Sequence, residues 1–112
     1  MSVRRVTEPA FFVLAALVAG PRHGYGIVQE VDSLSHGRVQ LKIGTLNGVI
    51  NRLVEDGLVE PDREEAWQGR LRRYYRLTDE GAALLAAEAE RRRATAAVAA
   101  QRLSARLAGG TA

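Results

Sequence analysis

The chain has 112 residues and a formal net charge of +3, with 46% apolar, 26% charged and only 5% aromatic residues. That is the composition of one small globular domain, not of a disordered or membrane-embedded chain. The absence of cysteine rules out disulfides and thiolate metal sites, and two histidines without a Cys, Asp or Glu cluster around them lead us to expect neither a metal nor a cofactor.

The start at residues 1–5 is basic, but the apolar run at residues 10–19 is too short to cross a bilayer. It is expected to be a core helix of a cytoplasmic protein with no membrane partner. Thr7 offers a capping hydroxyl before Glu8 and Pro9, and Phe11, Leu14, Ala15 and Val18 recur at helical spacing, so a first helix is expected to about Ala19. Gly20-Pro21 stops it. A second helix is predicted from near Gly24, with Ile27, Val28, Val31 and Leu34 as its apolar stripe and an end before Gly37. In the join, His23 can cap the second helix, and Tyr25 can reach a phosphate through its hydroxyl.

Val39, Leu41 and Ile43 alternate with Gln40 and Lys42, the period of a short half-buried strand. From Gly44-Thr45 the apolar residues Leu46, Val49, Ile50 and Leu53 follow the i, i+3, i+4, i+7 pattern of a third helix, and Gly57 stands where a left-handed cap would end it. Gly44, Gly48, Asn51, Arg52 and Glu55 are left on the opposite face, flanked by Thr45 and Asn47. A hairpin follows, opening at Leu58-Val59, turning at Trp67-Gln68-Gly69 and returning through residues 71–77. On the returning strand Tyr75 and Leu77 should face inward, with Arg70, Arg72, Tyr74 and Arg76 on the other side. Thr78-Asp79-Glu80 caps a last, alanine-rich helix reaching about Leu107, roughly 45 Å long at 1.5 Å per residue.

This order predicts a mainly α fold with a small β-hairpin wing: a winged helix-turn-helix plus a long C-terminal dimerisation helix. The boundaries expected are a winged-helix DNA-binding domain at 1–78, the dimerisation helix at 79–108 and a frayed tail at 109–112. The outer face of the third helix carries the small and hydrogen-bonding groups that a major groove admits, with Asn51 suited to adenine and Arg52 to guanine or phosphate. Read in isolation, the same face is also an ordinary solvated helix surface. Gly48 costs a helix interior roughly 1 kcal/mol against alanine; it reads either as room for close approach to DNA or as a tolerated glycine. Arginines on the hairpin suit phosphates, and also suit a charged edge strand protected from aggregation; two such features together favour the DNA reading.

In the last helix Leu84 and Leu85 are expected on the core, and Ala96, Ala99, Ala100, Leu103 and Leu107 form a narrow stripe beyond it. A helix this long gains most of its stability from packing, so a second copy is expected against that stripe, together with the first helix and its Phe11 and Phe12. Two-fold symmetry would set two reading helices over half-sites of a palindromic operator about 34 Å apart. Arg91, Arg92 and Arg93 read as surface residues paired with Glu88 and Glu90. No nucleophile, carboxylate pair or phosphate loop surrounds His23, so no enzyme is expected. The competing reading is a winged-helix protein-interaction module without specific DNA binding.

Three spaced motifs, His23-Gly24-Tyr25-Gly26-Ile27, then Gly44-Thr45-Leu46 with Leu53 and Glu55-Asp56-Gly57-Leu58-Val59, then Gly69-Arg70 and Arg73-Tyr74-Tyr75-Arg76-Leu77-Thr78 with Gly81, are similar to the successive signatures of PadR-family regulators. The resemblance covers about residues 9–90. It implies a winged-helix repressor that dimerises through its C-terminal helix and controls a neighbouring transporter, detoxification or stress gene, with a small aromatic effector in some members. It further implies that Tyr25, Thr45, Arg70, Arg72 and Arg73 face DNA. Asn47, followed by Gly48, stands where the family commonly has tyrosine. The last helix has no aromatic residue, so a drug stacked between tryptophans is not expected; Phe11 and Phe12 are better ligand candidates than Trp67.

Overall fold

The Thr7 hydroxyl accepts the Ala10 amide at 3.2 Å, and with Glu8 and Pro9 in the first turn it starts α1 (Glu8–Ala16) in the computed structural model, which describes residues 6–109. The basic start and all of the expected frayed tail except Gly109 lie outside the described residues. Helix α1 stops before Ala19, because residues 17–19 form a turn and the Arg22 guanidinium donates to the Ala16 carbonyl at 2.9 Å. Its buried residues are Val13, Leu14 and Ala16, followed by Leu17, while Val18 is exposed. The expected stripe of Phe11, Ala15 and Val18 is therefore displaced. The helix is apolar nearly all round and touches α2, α3 and α4, so spacing alone could not select its inner side.

Strand β1 (Arg22–His23) leads directly into α2 (Gly24–Leu34), which buries Ile27 and Val31. The expected strand over residues 39–43 does not form. Ser35, fully buried, accepts the Val39 amide at 2.9 Å and holds the loop, so the alternation of Val39 and Leu41 is that of an extended connection without a ladder partner. Ile43 instead opens α3 (Ile43–Glu55), whose Leu46, Ile50 and Leu53 enter the core as predicted. Gly57, at φ +76°, ends it.

Strands β2 (Val59–Trp67) and β3 (Arg70–Leu77) form the hairpin. Gln68 and Gly69 turn it with φ of 49° and 76°, the paired left-handed residues of a tight hairpin turn. With β1 the sheet has the antiparallel order β1-β3-β2, and a bulge between Pro61 and Glu64 sets two residues of β2 against Tyr74. The Thr78 hydroxyl accepts the Gly81 amide at 2.9 Å and donates to the Gly57 carbonyl at 2.7 Å, starting α4 (Asp79–Ala108). Gly81 is required here: a Cβ would lie 2.1 Å from the Leu58 carbonyl oxygen. Leu84 and Leu85 pack on the core, but Gly81 and Glu88 are the only buried residues of α4. The rest of the helix stands clear and stretches the molecule to 69 Å. These helices and the small antiparallel sheet make a winged helix.

Candidate nucleic-acid interface

Helix α3 is held from one side only. Leu46, Ile50 and Leu53 anchor it, and Thr45, Asn47, Gly48, Asn51 and Arg52 are all exposed on the outer side. A Cβ at Gly44 or Gly48 would meet nothing within 4 Å, so no contact inside the chain requires glycine at either place. Arg52 makes no ion pair among the described residues.

Tyr25, 62% exposed, lies in the first turn of α2. Its neighbour Gly24 sits against Ile43 and Leu46. His23 caps α2, its Nδ1 accepting the Gly26 amide at 3.2 Å. On the other side it pairs with Tyr74 across β1 and β3, the two rings edge to face at 5.3 Å. The start of α2 thus lies between the first turn of α3 and the middle of β3.

The hairpin is less basic than its arginines suggest. Arg76 meets Glu60 at 2.7 Å and Asp62 at 3.2 Å, Arg63 meets Glu65 at 2.7 Å, and Arg73 stands 3.6 Å from Glu64. Glu60, with Asp62 after it, holds the Arg76 guanidinium above its ordinary pKa, and Arg63, then Tyr74, holds the Glu65 carboxyl below its own. Arg72 stacks on the Trp67 ring at 3.5 Å and reaches His23 Nε2 at 3.1 Å. Arg70, opposite Trp67 at the tip, is in no ion pair among the described residues. The carboxylates of β2 were overlooked in the sequence reading; Glu60, Asp62, Glu64 and Glu65, spaced along a strand that faces the arginines, were the available signal.

Phe11 and Phe12 are half-buried and packed edge to face at 5.6 Å, with Arg92 lying over Phe11 at 4.2 Å. Arg91 and Arg92 converge on Glu88, and Arg91 first among them holds its carboxyl below the usual range; Arg93 pairs with Glu90 at 2.6 Å. Farther along α4, Ala96, Ala99 and Ala100 are exposed, as are Leu103 at 63% and Leu107 at 82%. A groove of about 480 Å³ lies between α1, α3 and α4, lined by Ala10, Leu14, Val49, Leu53 and Leu84 and also by three of the exposed residues of α3, Thr45, Gly48 and Arg52. Phe11, Phe12 and Trp67 are not among its walls. No described helix is long and apolar enough to cross a membrane.

Residues 13–87 match the model of the transcriptional regulator PadR-like family. An uncharacterized protein of Lysinibacillus sphaericus is 33% identical over 73 residues, covering 65% of this chain and 67% of that one. Among solved structures, a PadR family transcription regulator from Clostridium difficile superposes with a TM-score of 0.72 at 23% identity, over 87% of this chain and 99% of the other. Bacillus subtilis PadR, solved in complex with operator DNA, superposes with a TM-score of 0.59 at 21% identity, over 68% of this chain and 43% of its own. The family consists of transcriptional regulators, not enzymes. With residues 13–87, from the middle of α1 into α4, matched by that family's pattern, this chain belongs to the PadR-like family of transcriptional regulators.

Proposed function

We propose that this regulator is a homodimeric, sequence-specific DNA-binding repressor that blocks access to a promoter, with α3 in the major groove and the hairpin as its wing. The observation that carries the reading is the division of α3 into an anchored inner side and an outer side of small and hydrogen-bonding groups: Thr45, Asn47, Gly48, Asn51 and Arg52. Asn51 reads a base edge, Arg52 a guanine or a phosphate, and Tyr25 a phosphate beside them. Arg70, Arg72 and Arg73 serve the backbone from the wing. Asn47 and Gly48 give this chain an operator preference of its own.

The second copy covers the exposed stripe of α4 at Ala96, Ala99, Ala100, Leu103 and Leu107 and touches Phe11 and Phe12, setting two α3 helices over a palindrome. A neighbouring transporter, detoxification or stress gene is the target in this reading. Release by a small ligand fits the groove whose wall is α3, since a molecule seated there presses on the reading helix.

The test is fluorescence anisotropy of the purified protein on the DNA upstream of its own gene and on a scrambled duplex, each at two salt concentrations. Preferential binding that weakens steeply with salt is expected. Equal or absent binding to both duplexes would replace this reading with a protein-interaction module, which the near balance of charge on the wing would suit.

A further inference from the structure

His23 touches two parts of the molecule. Its Nδ1 faces the Gly26 amide at 3.2 Å, at the start of α2, and its Nε2 faces the Arg72 guanidinium at 3.1 Å, on the wing. Both neighbours are donors, and arginine can only donate. In the neutral ring Nδ1 accepts the Gly26 amide, so Nε2 carries the proton and only packs against the guanidinium, whereas a protonated ring has no acceptor and places a cation against a cation. The rest of the clasp is aromatic: Tyr74 packs edge to face on His23, and Trp67 lies under Arg72. We propose that His23 and Arg72 stay packed against each other only while the imidazole is neutral, and that protonation of His23 drives the Arg72 side chain away and weakens DNA binding.

The groups around the ring favour the neutral form. Partial burial, then Arg72 and Arg22, push the His23 pKa below the ordinary histidine value, and Glu65 alone opposes them. Glu65 is itself engaged by Arg63 and Tyr74, and the start of α2 adds a positive dipole end. A histidine whose folded pKa is depressed supports the folded arrangement fully above its unfolded value of about 6.5 and loses that support as pH falls through the folded value. The clasp is therefore closed near neutrality and opens in acid. Electrostatic attraction between phosphate and protonated histidines has the opposite sign and would tighten binding in acid, which separates the two effects.

The place of Arg72 on the wing is part of the repressor reading above, so the deciding measurement is made first without DNA. Trp67 is the only tryptophan, and its emission reports the Arg72 stack. On lowering the pH from about 7.5 the full chain should show one emission step with a midpoint below about 6.5. The step should vanish in His23→Asn, which keeps an acceptor for the Gly26 amide and has no proton to gain, and should persist in His36→Gln. If His23→Asn loses its helical circular dichroism, His23→Ser decides, since serine also caps a helix, has no proton to gain and leaves the Arg72 stack on Trp67 in place, and it must also abolish the step. No step in the unsubstituted chain, or a step that survives both changes, overturns the clasp.

With DNA present, affinity for the upstream duplex should fall by up to about tenfold for each unit by which the His23 pKa is depressed and stay flat in His23→Asn. Tighter binding in acid would overturn the proposed weakening. Absence of DNA binding at every pH would sink the repressor reading while the emission step still judged the clasp.

Discussion

Helix α3 and the wing carry the polar residues most suited to DNA, and they present them in opposite ways. The outer side of α3 holds few charges, and Arg52 makes no ion pair among the described residues. The wing holds Arg63, Arg70, Arg72, Arg73 and Arg76, yet Glu60, Asp62, Glu64 and Glu65 oppose them from the neighbouring strand. A paired arginine must give up a carboxylate before it can take a phosphate, so arginine count overstates the available charge. In the function proposed above, specific recognition rests on α3, and the wing supplies a smaller, position-dependent share.

The largest effect should come from removing the anchor of α3. Ile50→Ala empties a fully packed site and is expected to cost about 2–5 kcal/mol in urea unfolding, with DNA affinity lost in proportion. A small loss would mean that α3 is held by something other than the core. Next, Asn51→Ala should remove about 1–3 kcal/mol of discrimination between the upstream and scrambled duplexes, visible as a specificity ratio that collapses while binding to scrambled DNA is kept. If both affinities drop alike, Asn51 touches backbone and the helix is turned differently from our orientation.

Gly48→Ala sharpens the same point. A methyl group there meets open space, so the helix should gain about 1 kcal/mol of stability in thermal melts. Weaker operator binding in the more stable variant would show that the glycine serves the approach of α3 to DNA; unchanged binding would show that it is merely tolerated. The smallest change is on the wing. Arg70→Gln should reduce the salt slope of binding by about one phosphate contact, whereas Arg76→Gln, whose guanidinium is held by Glu60 and Asp62, should leave it unaltered. Equal effects from the two would erase the distinction between paired and available arginines.

The two ends of α4 show a similar contrast. Its first turns meet the core through Gly81, Leu84 and Leu85, where no larger residue than glycine fits beside the Leu58 carbonyl. Beyond Glu88 none of its residues is buried, and the leucines at 103 and 107 lie open. A helix with no partner over that length owes its order to alanine propensity and to the Glu88 and Glu90 pairs within it, which is why a second copy is part of the function we propose.

Local rules were enough for much of this architecture. Caps at Thr7, His23 and Thr78, the left-handed glycine at 57, the Gln68-Gly69 turn and the apolar spacing of α3 each act within a few residues of chain, and each stands where its residues placed it. Family motifs were legible for the same reason, being short and contiguous. What depends on residues far apart in the chain was not legible. The alternation of Val39 and Leu41 could not reveal that a buried Ser35 would take the Val39 amide in place of a strand partner. The uniform apolarity of α1 could not say which side three other helices would cover. The wing arginines could not announce the carboxylates across the ladder, nor His23 its seat between Gly26 and Arg72, forty-nine residues away in the chain. Periodicity and capping are written in neighbouring residues, whereas burial, charge pairing and the protonation of a histidine depend on groups that only the closed fold brings within a few ångströms of one another.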